Sequence, residues 1–353
     1  MSNQPPIEVP QGAIRLNTDS QKLEFYAQDR WYEMATNTSN LGTGSGASSD
    51  AHAGVRGLFA GKFDDSNNQG TIDYVTISTQ GNAIGYGDLS AGGTNFYGGI
   101  CASQTRWVYF GGSPHTSEMD FGEFSKPGNS QDFGNLTGNT QYNPSGVSNR
   151  TRGIRMGGAS SPTEAQNVIE HWTFATTGSS QDFGDLAEKK RFSMSANSPT
   201  RGVLVGGDIS NGNTGVELSQ FITMSTTGNA QKFGDLGTVS KGFGGNGVCS
   251  NATRGIFFGG SGYTSIISTL QMATEGNTYE FGNLSYGVGY NASTANATRA
   301  LSAGGYDPNA SPSNYINTIE MLNIATGGDT VDFGDRTVAG SYASGTSNGH
   351  GGL

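Results

Sequence analysis

A single unit recurs six times between residue 45 and the C-terminus, and it dictates most of what the chain can become. Each copy opens on an arginine: Arg56, Arg106, Arg152, Arg201, Arg254 and Arg299. A short apolar run follows and closes on a small pair, at Ala60-Gly61, Gly111-Gly112, Gly157-Gly158, Gly206-Gly207, Gly259-Gly260 and Gly304-Gly305, spaced 45 to 53 residues apart. The copy ends on an aromatic residue, a glycine and an Asp or Asn: Tyr86-Gly87-Asp88, Phe133-Gly134-Asn135, Phe183-Gly184-Asp185, Phe233-Gly234-Asp235, Phe281-Gly282-Asn283 and Phe333-Gly334-Asp335. Three landmarks that hold phase over six copies mark a repeat architecture.

Within a copy the apolar runs are short and punctuated by Gly, Asn and Ser, which predicts strands and excludes long helices. The fourth copy gives four: Phe192–Ala196, Arg201–Val205, Leu218–Ser225 and the run into Phe233. Thr226-Thr227-Gly228-Asn229, between the third and fourth, carries the Gly/Asn pair expected of a tight hairpin. The 57 glycines sit at fixed offsets, as turn residues rather than as low complexity.

The fold class expected is therefore all-β: six four-stranded units arranged as a β-propeller over residues 45–353, behind a small N-terminal β-meander in residues 1–44. After the sixth unit the tail from Val338 to Leu353 resembles the first strand of a copy and stops where a second would begin. It can complete the first unit beside Arg56, but residues 45–54 can fill the same slot. A seventh unit made of both remnants is the alternative.

A formal net charge of −10 with no basic block argues against nucleic acid and anionic membrane as partners. No apolar run is long enough to span a bilayer, and Met1 to Pro10 has neither the basic nor the apolar region of a secretory leader. Cys101 and Cys249 each stand five residues ahead of a repeat arginine, where other copies carry small residues, and read as buried structural thiols. The histidines His52, His115, His171 and His350 occupy unrelated phases of the repeat, without metal-ligand spacing, so no metal and no cofactor is expected. A meeting of His52 and His350 at the closure is the one exception weighed.

In the N-terminal segment, Gly12–Asn17, Lys22–Tyr26 and the turn into Trp31 and Tyr32 predict three short strands. Ile14, Leu16, Leu23, Phe25, Tyr26, Trp31 and Tyr32 are too many apolar side chains for so short a segment to bury alone, which predicts an anchor that packs on something else. The run from Gly12 through Trp31, Gly-x-Ile-Arg-x-Asn-Thr-Asp followed by Leu-Glu-Phe-Tyr and Trp, resembles a short motif of bacteriophage tail-fibre and related virion proteins. The repeats resemble those of kelch propellers in period, glycine doublet and strand order, but Phe-Gly-Asp stands where kelch repeats carry a fourth-strand tryptophan. The Ala-Thr-Thr-Gly-Asn and Asp-Phe-Gly-Asp-Leu segments also look like repeats in virion proteins of marine phages. The resemblance implies a virion structural protein, a tail-fibre or surface-fibre component, attached to other virion proteins by its N-terminal segment and assembled as a homo-oligomer, with a trimer favoured.

Six-fold recurrence makes the arginines scaffold, capping turns or pairing with carboxylates at the unit junctions; an anion-binding ring is the competing reading. What differs between copies is the loop joining the second and third strands. These loops supply Asp64, Asn67, His115, Asn167, Asn211, Tyr263, Tyr306 and Tyr315, a composition suited to adaptable hydrogen bonding with a glycan or protein on a host cell. That the loops are mere connectors is the competing reading. Binding without catalysis is the expectation. A propeller enzyme acting on surface glycans and a cellular kelch-type scaffold are the alternatives.

Overall fold

The computed structural model describes residues 9–17, 22–33, 55–64, 69–90, 96–113, 116–140, 144–161, 164–209, 215–236, 247–260 and 262–353. The chain divides into two compact units, Met1–Gly42 and Thr43–Leu353. Among the described residues all regular structure is β.

The small unit is an antiparallel sheet of Ile14–Asn17, Lys22–Ala27 and Arg30–Glu33. Ile14 pairs with Phe25 and Phe25 with Tyr32, so these and Leu16 share one face, and Leu23 is the backbone partner of Leu16. Ile14 and Leu16 are 64% and 60% exposed. The apolar side chains of this unit divide between two faces, because side chains alternate along a strand. Tyr26 and Trp31 lie on the opposite face, where Arg15 stacks 4.1 Å over Trp31 and bonds Glu24 at 2.8 Å.

The large unit contains five four-stranded antiparallel sheets and one five-stranded sheet among its described residues. The first sheet combines Ser344–Ser347 with Arg56–Lys62, Gln69–Thr76 and Ile84–Asp88. The C-terminal strand thus completes the first unit, with Ser344 opposite Ala60 and Ser347 opposite Gly57. The second sheet is Gly99–Ala102, Arg106–Phe110, Thr116–Glu123 and Lys126–Thr140. The third is Ser145–Ser148, Arg152–Met156, Glu164–Thr173 and Gln181–Lys190, with Ala159–Ser161 as an added short strand. The fourth is Met194–Asn197, Arg201–Val205, Leu218–Thr223 and Gln231–Asp235. The fifth is Val248–Ser250, Arg254–Phe258, Ile266–Gln271 and Tyr279–Asn283. The sixth is Ala292–Ala295, Arg299–Tyr306, Tyr315–Asn323 and Val331–Asp335.

Second strands are apolar in consecutive residues because both their faces are covered. Ile256, Phe257 and Phe258 are all at most 2% exposed. The clusters that bury them lie between sheets: one joins Val203 and Phe233 of the fourth to Phe257 and Leu270 of the fifth, and another joins Leu301 and Phe333 of the sixth to Phe59 and Val75 of the first. First strands touch their successors in the cyclic order one to six and back to one.

The recurrent residues are spent on these junctions. Each arginine reaches forward to turn carbonyls of the next sheet: Arg106 to Phe174, Arg152 to Met224, Arg201 to Ala273, Arg254 to Ile324, and Arg299 of the sixth sheet to Ile77 of the first, at 2.8–3.1 Å. Arg56 likewise donates to the Phe124 carbonyl. These are turn caps and not carboxylate pairs.

The Gly-Asn segments also differ from the expected tight hairpin. Gly228 and Asn229 instead dock on the preceding sheet, where the Gly228 N–H donates to Phe183 O at 2.8 Å and Asn229 Oδ1 accepts from the Asp185 N–H at 3.0 Å. The pattern recurs around to Gly81 on Phe333 and Asn82 on Asp335. It explains the glycine of Phe-Gly-Asp: a Cβ on Gly184 would lie 2.6 Å from the Gly228 carbonyl.

A third interlock was not anticipated. One buried position of the third strand, opposite the residue three after the arginine, holds Asp73, Asp120, Glu170, Gln220 or Glu320. Each accepts from the chain leaving the preceding sheet: Asp120 from the Ser90 N–H at 3.1 Å, Glu170 from Thr137 at 3.0 Å, Gln220 from Ala187 at 2.7 Å, and Glu320 from Ser285 at 3.3 Å. Asp73 pairs with Arg336 of the sixth sheet at 3.2 Å, both fully buried.

Candidate functional site

The first strands enclose a cavity of about 60 Å³, lined by Gly99, Cys101, Ser145, Ser195, Cys249, Ser293, Thr294 and Thr346 among others. Hydroxyls stitch neighbouring strands in register: Ser344 to Gly98 O, Ser148 to Ala102 O, Ser145 to Ser193 O, Ser250 to Asn197 O and Thr294 to Thr346 O, at 2.6–2.9 Å. Equivalent positions meet, so the strands begin at one end of the cavity and finish at the other. Cys101 and Cys249 are buried free thiols on this wall, and burial pushes both well above the usual thiol range, which leaves them unreactive.

Where the first strands finish, the chain from His350 to Leu353 folds across them. His350 Nδ1 lies 3.0 Å from Asn197 Nδ2 and accepts from the Gly352 N–H at 3.1 Å, so the ring proton sits on Nε2, 2.7 Å from the Ala102 carbonyl. Burial, which penalises the charged ring, draws its pKa down to about 4, against the opposing pull of the Ala102 carbonyl. The Gly351 N–H donates to Ser250 O. A Cβ on Gly352 would stand 1.8 Å from the Ser148 carbonyl, so this end closes only around glycine.

The opposite end is aromatic. Tyr97, Phe192, Tyr290 and Tyr342 each stand two residues ahead of a first strand, and all four have left-handed backbone, with φ of 63°, 50°, 59° and 56°. Phe192 was expected to open the strand that in fact starts at Met194. Its left-handed conformation turns it out of the ladder. The four side chains meet across the strand ends: Tyr97 and Tyr342 centroids are 4.1 Å apart, Tyr290 and Tyr342 4.2 Å, and Tyr97 and Phe192 5.7 Å. The last pair joins the second sheet to the fourth, passing over the third. Phe63 and Phe96 extend the cluster through Tyr342 and Tyr97.

Three of the loop residues singled out from sequence join this cluster. Tyr263 packs 6.2 Å from Tyr290 and 5.3 Å from Tyr306, and Tyr306 packs 5.4 Å from Tyr315. Tyr306 and Tyr315 are strand residues rather than loop residues, opposite each other on the last rung of the sixth sheet. Asp64 follows Phe63 of the cluster and forms an ion pair with Lys62 at 2.7 Å. Asn167 is a correction: Ala159–Ser161 and Glu164–Thr173 extend the hairpin, and Asn167 is an exposed residue within the latter strand. Asn67, His115 and Asn211 lie outside the described residues, as does His52. Tyr97, Phe192, Tyr290 and Tyr342 were not singled out. Their signal is an aromatic nine residues ahead of the repeat arginine in three copies, with Tyr342 placed in the same slot once Ser344 is paired with Ala60.

Burial raises the Tyr342 phenol, and the neighbouring Tyr97 and Tyr290 raise it further; burial likewise raises Tyr263. Both phenols are therefore neutral at physiological pH. Among the described charged groups beside the cluster, Lys62 is paired with Asp64 and Arg191 with Asp208 at 2.8 Å beneath Phe192, while the buried Lys190 donates to the Gly206 carbonyl at 2.9 Å. No group of three or more His, Cys, Asp and Glu suited to a metal occurs among the described residues.

Fold and site together define an all-β protein of repeated antiparallel sheets with an aromatic surface at one end of their first strands. No family model matches the chain, and no curated protein matches it in sequence. Among solved structures, that of YjhT is similar with a TM-score of 0.56 and 10% identity, covering 71% of this chain and 87% of YjhT. At that identity the likeness concerns the fold alone.

Proposed function

We propose that the six sheets are blades of a kelch-like, six-bladed β-propeller, and that the chain is a structural protein of a phage virion, a tail-fibre or surface-fibre component. Its propeller binds a glycan on the host surface and does so without catalysis. The cyclic order of first-strand contacts and the closing of the first sheet by Ser344–Ser347 support the propeller. The likeness of Gly12–Trp31 to tail-fibre motifs supports the virion setting. The exposed Ile14, Leu16 and Phe25 give the N-terminal sheet an apolar face through which it holds other virion proteins, in a homo-oligomer for which the tail-fibre resemblance favours a trimer.

The observation that carries the binding role is the aromatic cluster joining Tyr263, Tyr306 and Tyr315 to Tyr97, Tyr290 and Tyr342. Rings half-buried at a surface offer stacking area at small entropic cost. A glycan array probed with the full chain is expected to give one class of ligand, lost in Tyr263→Ala and Tyr306→Ala. Tight capture of another virion protein by the mouth, with no glycan bound, overturns the reading.

A further inference from the structure

The left-handed backbone of Tyr97, Phe192, Tyr290 and Tyr342 is a cost repeated four times at one slot of the repeat. A bulky residue with φ near +55° is an outlier, and such strain persists only where something else requires it. The two remaining copies carry Asn143 and Gly245 nine residues ahead of their arginines, the residue types that adopt this conformation cheaply. Asn and Gly reach this conformation at little cost, so a left-handed residue does not itself call for an aromatic side chain. In four copies the rings converge where the strands begin, and three of the four carry phenol groups.

The geometry points to a saccharide subsite there: we infer that Tyr97, Tyr290 and Tyr342, flanked by Phe192 and Tyr263, form the stacking platform for one uncharged hexopyranose residue. This rests on the glycan-binding reading above and names where on the mouth the sugar sits and of what class it is. The choice of an uncharged sugar follows from the charges. Lys62 and Arg191, beside Phe63 and Phe192 in the chain, are held by Asp64 and Asp208, and the buried Lys190 donates to the Gly206 and Leu218 carbonyls, so none of the three is available to a carboxylate or sulfate, and the chain's net charge of −10 repels anions. Phenols serve an uncharged ring doubly, the face stacking on the sugar's C–H groups and the hydroxyl donating or accepting at its rim.

The test uses the full chain with two sets of probes: lactose, maltotriose, cellotriose and chitotriose as uncharged saccharides, and 3′-sialyllactose and a heparin hexasaccharide as charged ones. Saturation-transfer NMR and titration of intrinsic fluorescence read the binding. An uncharged probe is expected to bind, with affinity falling about tenfold or more in Tyr342→Asn and in Tyr290→Asn, a stacking loss of about 1.4 kcal/mol. Because Asn accepts the left-handed turn, both variants are expected to keep the wild-type unfolding midpoint to within about 5 °C. A midpoint lowered by more than about 10 °C would make the rings a fold element and overturn the inference. Tyr290→Phe, which keeps the ring, is expected to weaken binding by only a few fold; full loss of binding there would remove the stacking role. Binding of the charged probes alone, lost in Tyr263→Ala but kept in Tyr342→Asn, overturns the uncharged subsite and leaves the glycan-binding reading standing. No binding of either set overturns both.

Discussion

The junctions between sheets and the mouth are built on opposite principles. At the junctions the copies spend like residues on like contacts: in all six an arginine on the next sheet's turn and a glycine against the preceding sheet, in most an Asn or Asp beside that glycine, and in five a buried acid or amide facing the preceding chain exit, the fifth copy having Ser268 there. At the mouth the copies differ, the residues are aromatic, and their backbone is strained. Repetition here marks what holds each sheet to the next, and departure from it marks what the first-strand ends present.

That contrast breaks most visibly at the junction of the sixth and first sheets. Arg336 and Asp73 are both fully buried, and Asp73 also accepts from the Thr337 hydroxyl. Arg336→Ala leaves a buried carboxylate without its cation, and is expected to cost about 3–5 kcal/mol in urea unfolding. A cost below about 1 kcal/mol would mean that this junction does not hold the structure shut.

The closed end provides the next test, through pH. His350 is neutral and buried, with a folded pKa of about 4 against about 6.5 for an unfolded histidine. Its folded pKa is depressed, so the unfolded chain binds the proton first as pH falls. The stability it contributes is complete above about pH 6.5 and is lost on the way down to pH 4, about 3 kcal/mol in all. Its hydrogen-bond partners, Ala102 O, Ser148 Oγ, Asn197 Nδ2 and the Gly352 N–H, do not titrate. The difference between wild type and His350→Asn should carry this slope, since carboxylates elsewhere cancel. Equal pH dependence of the two proteins would exclude the neutral, buried ring.

Single members of the repeated clasp matter less. Arg201→Ala removes the guanidinium bonds to Met272 O and Ala273 O and the packing on Phe221, an expected loss of about 1–2 kcal/mol at a partly exposed position. A similar loss from Arg254→Ala would show that the copies share the load.

How far the residues announced all this depends on the kind of contact. The strand from Arg201 to Val205 was read to the residue, because an apolar run bounded by an arginine and a glycine pair has one sensible phase. That the tail could complete the first sheet was legible too, since Gly345-Thr346-Ser347 repeats the small-residue pattern of Gly146-Val147-Ser148. The docking of Gly228 and Asn229 was not, because the dipeptide suits a hairpin equally well and only the neighbouring sheet decides between them. Asp73 and Glu170 carry no signal of their own in the sequence, because their burial arises from a sheet that contacts them across more than thirty residues of chain or around the closure. Periodicity locates Tyr97 and Tyr290 in phase, but it does not reveal which side chains lean over the cavity to meet one another.

The smallest expected effect bears hardest on the comparison. Phe192 is half-buried at the mouth, with Tyr97 5.7 Å away and Arg191 stacked on it. Phe192→Asn forfeits part of an aromatic side chain's burial, at most about 2 kcal/mol for a residue so placed. It also releases a left-handed strain that costs an ordinary residue about 1–2 kcal/mol and asparagine less. The two nearly cancel, and the net change in unfolding free energy should stay within about 1 kcal/mol. Phe183, 2% exposed at a junction, has no strain to release, so Phe183→Ala should cost about 3–5 kcal/mol. Equal losses at the two positions would place Phe192 among the residues that hold the sheets together. A large gap between them, at two phenylalanines nine positions apart in one chain, separates what the repeat needs from what the mouth presents.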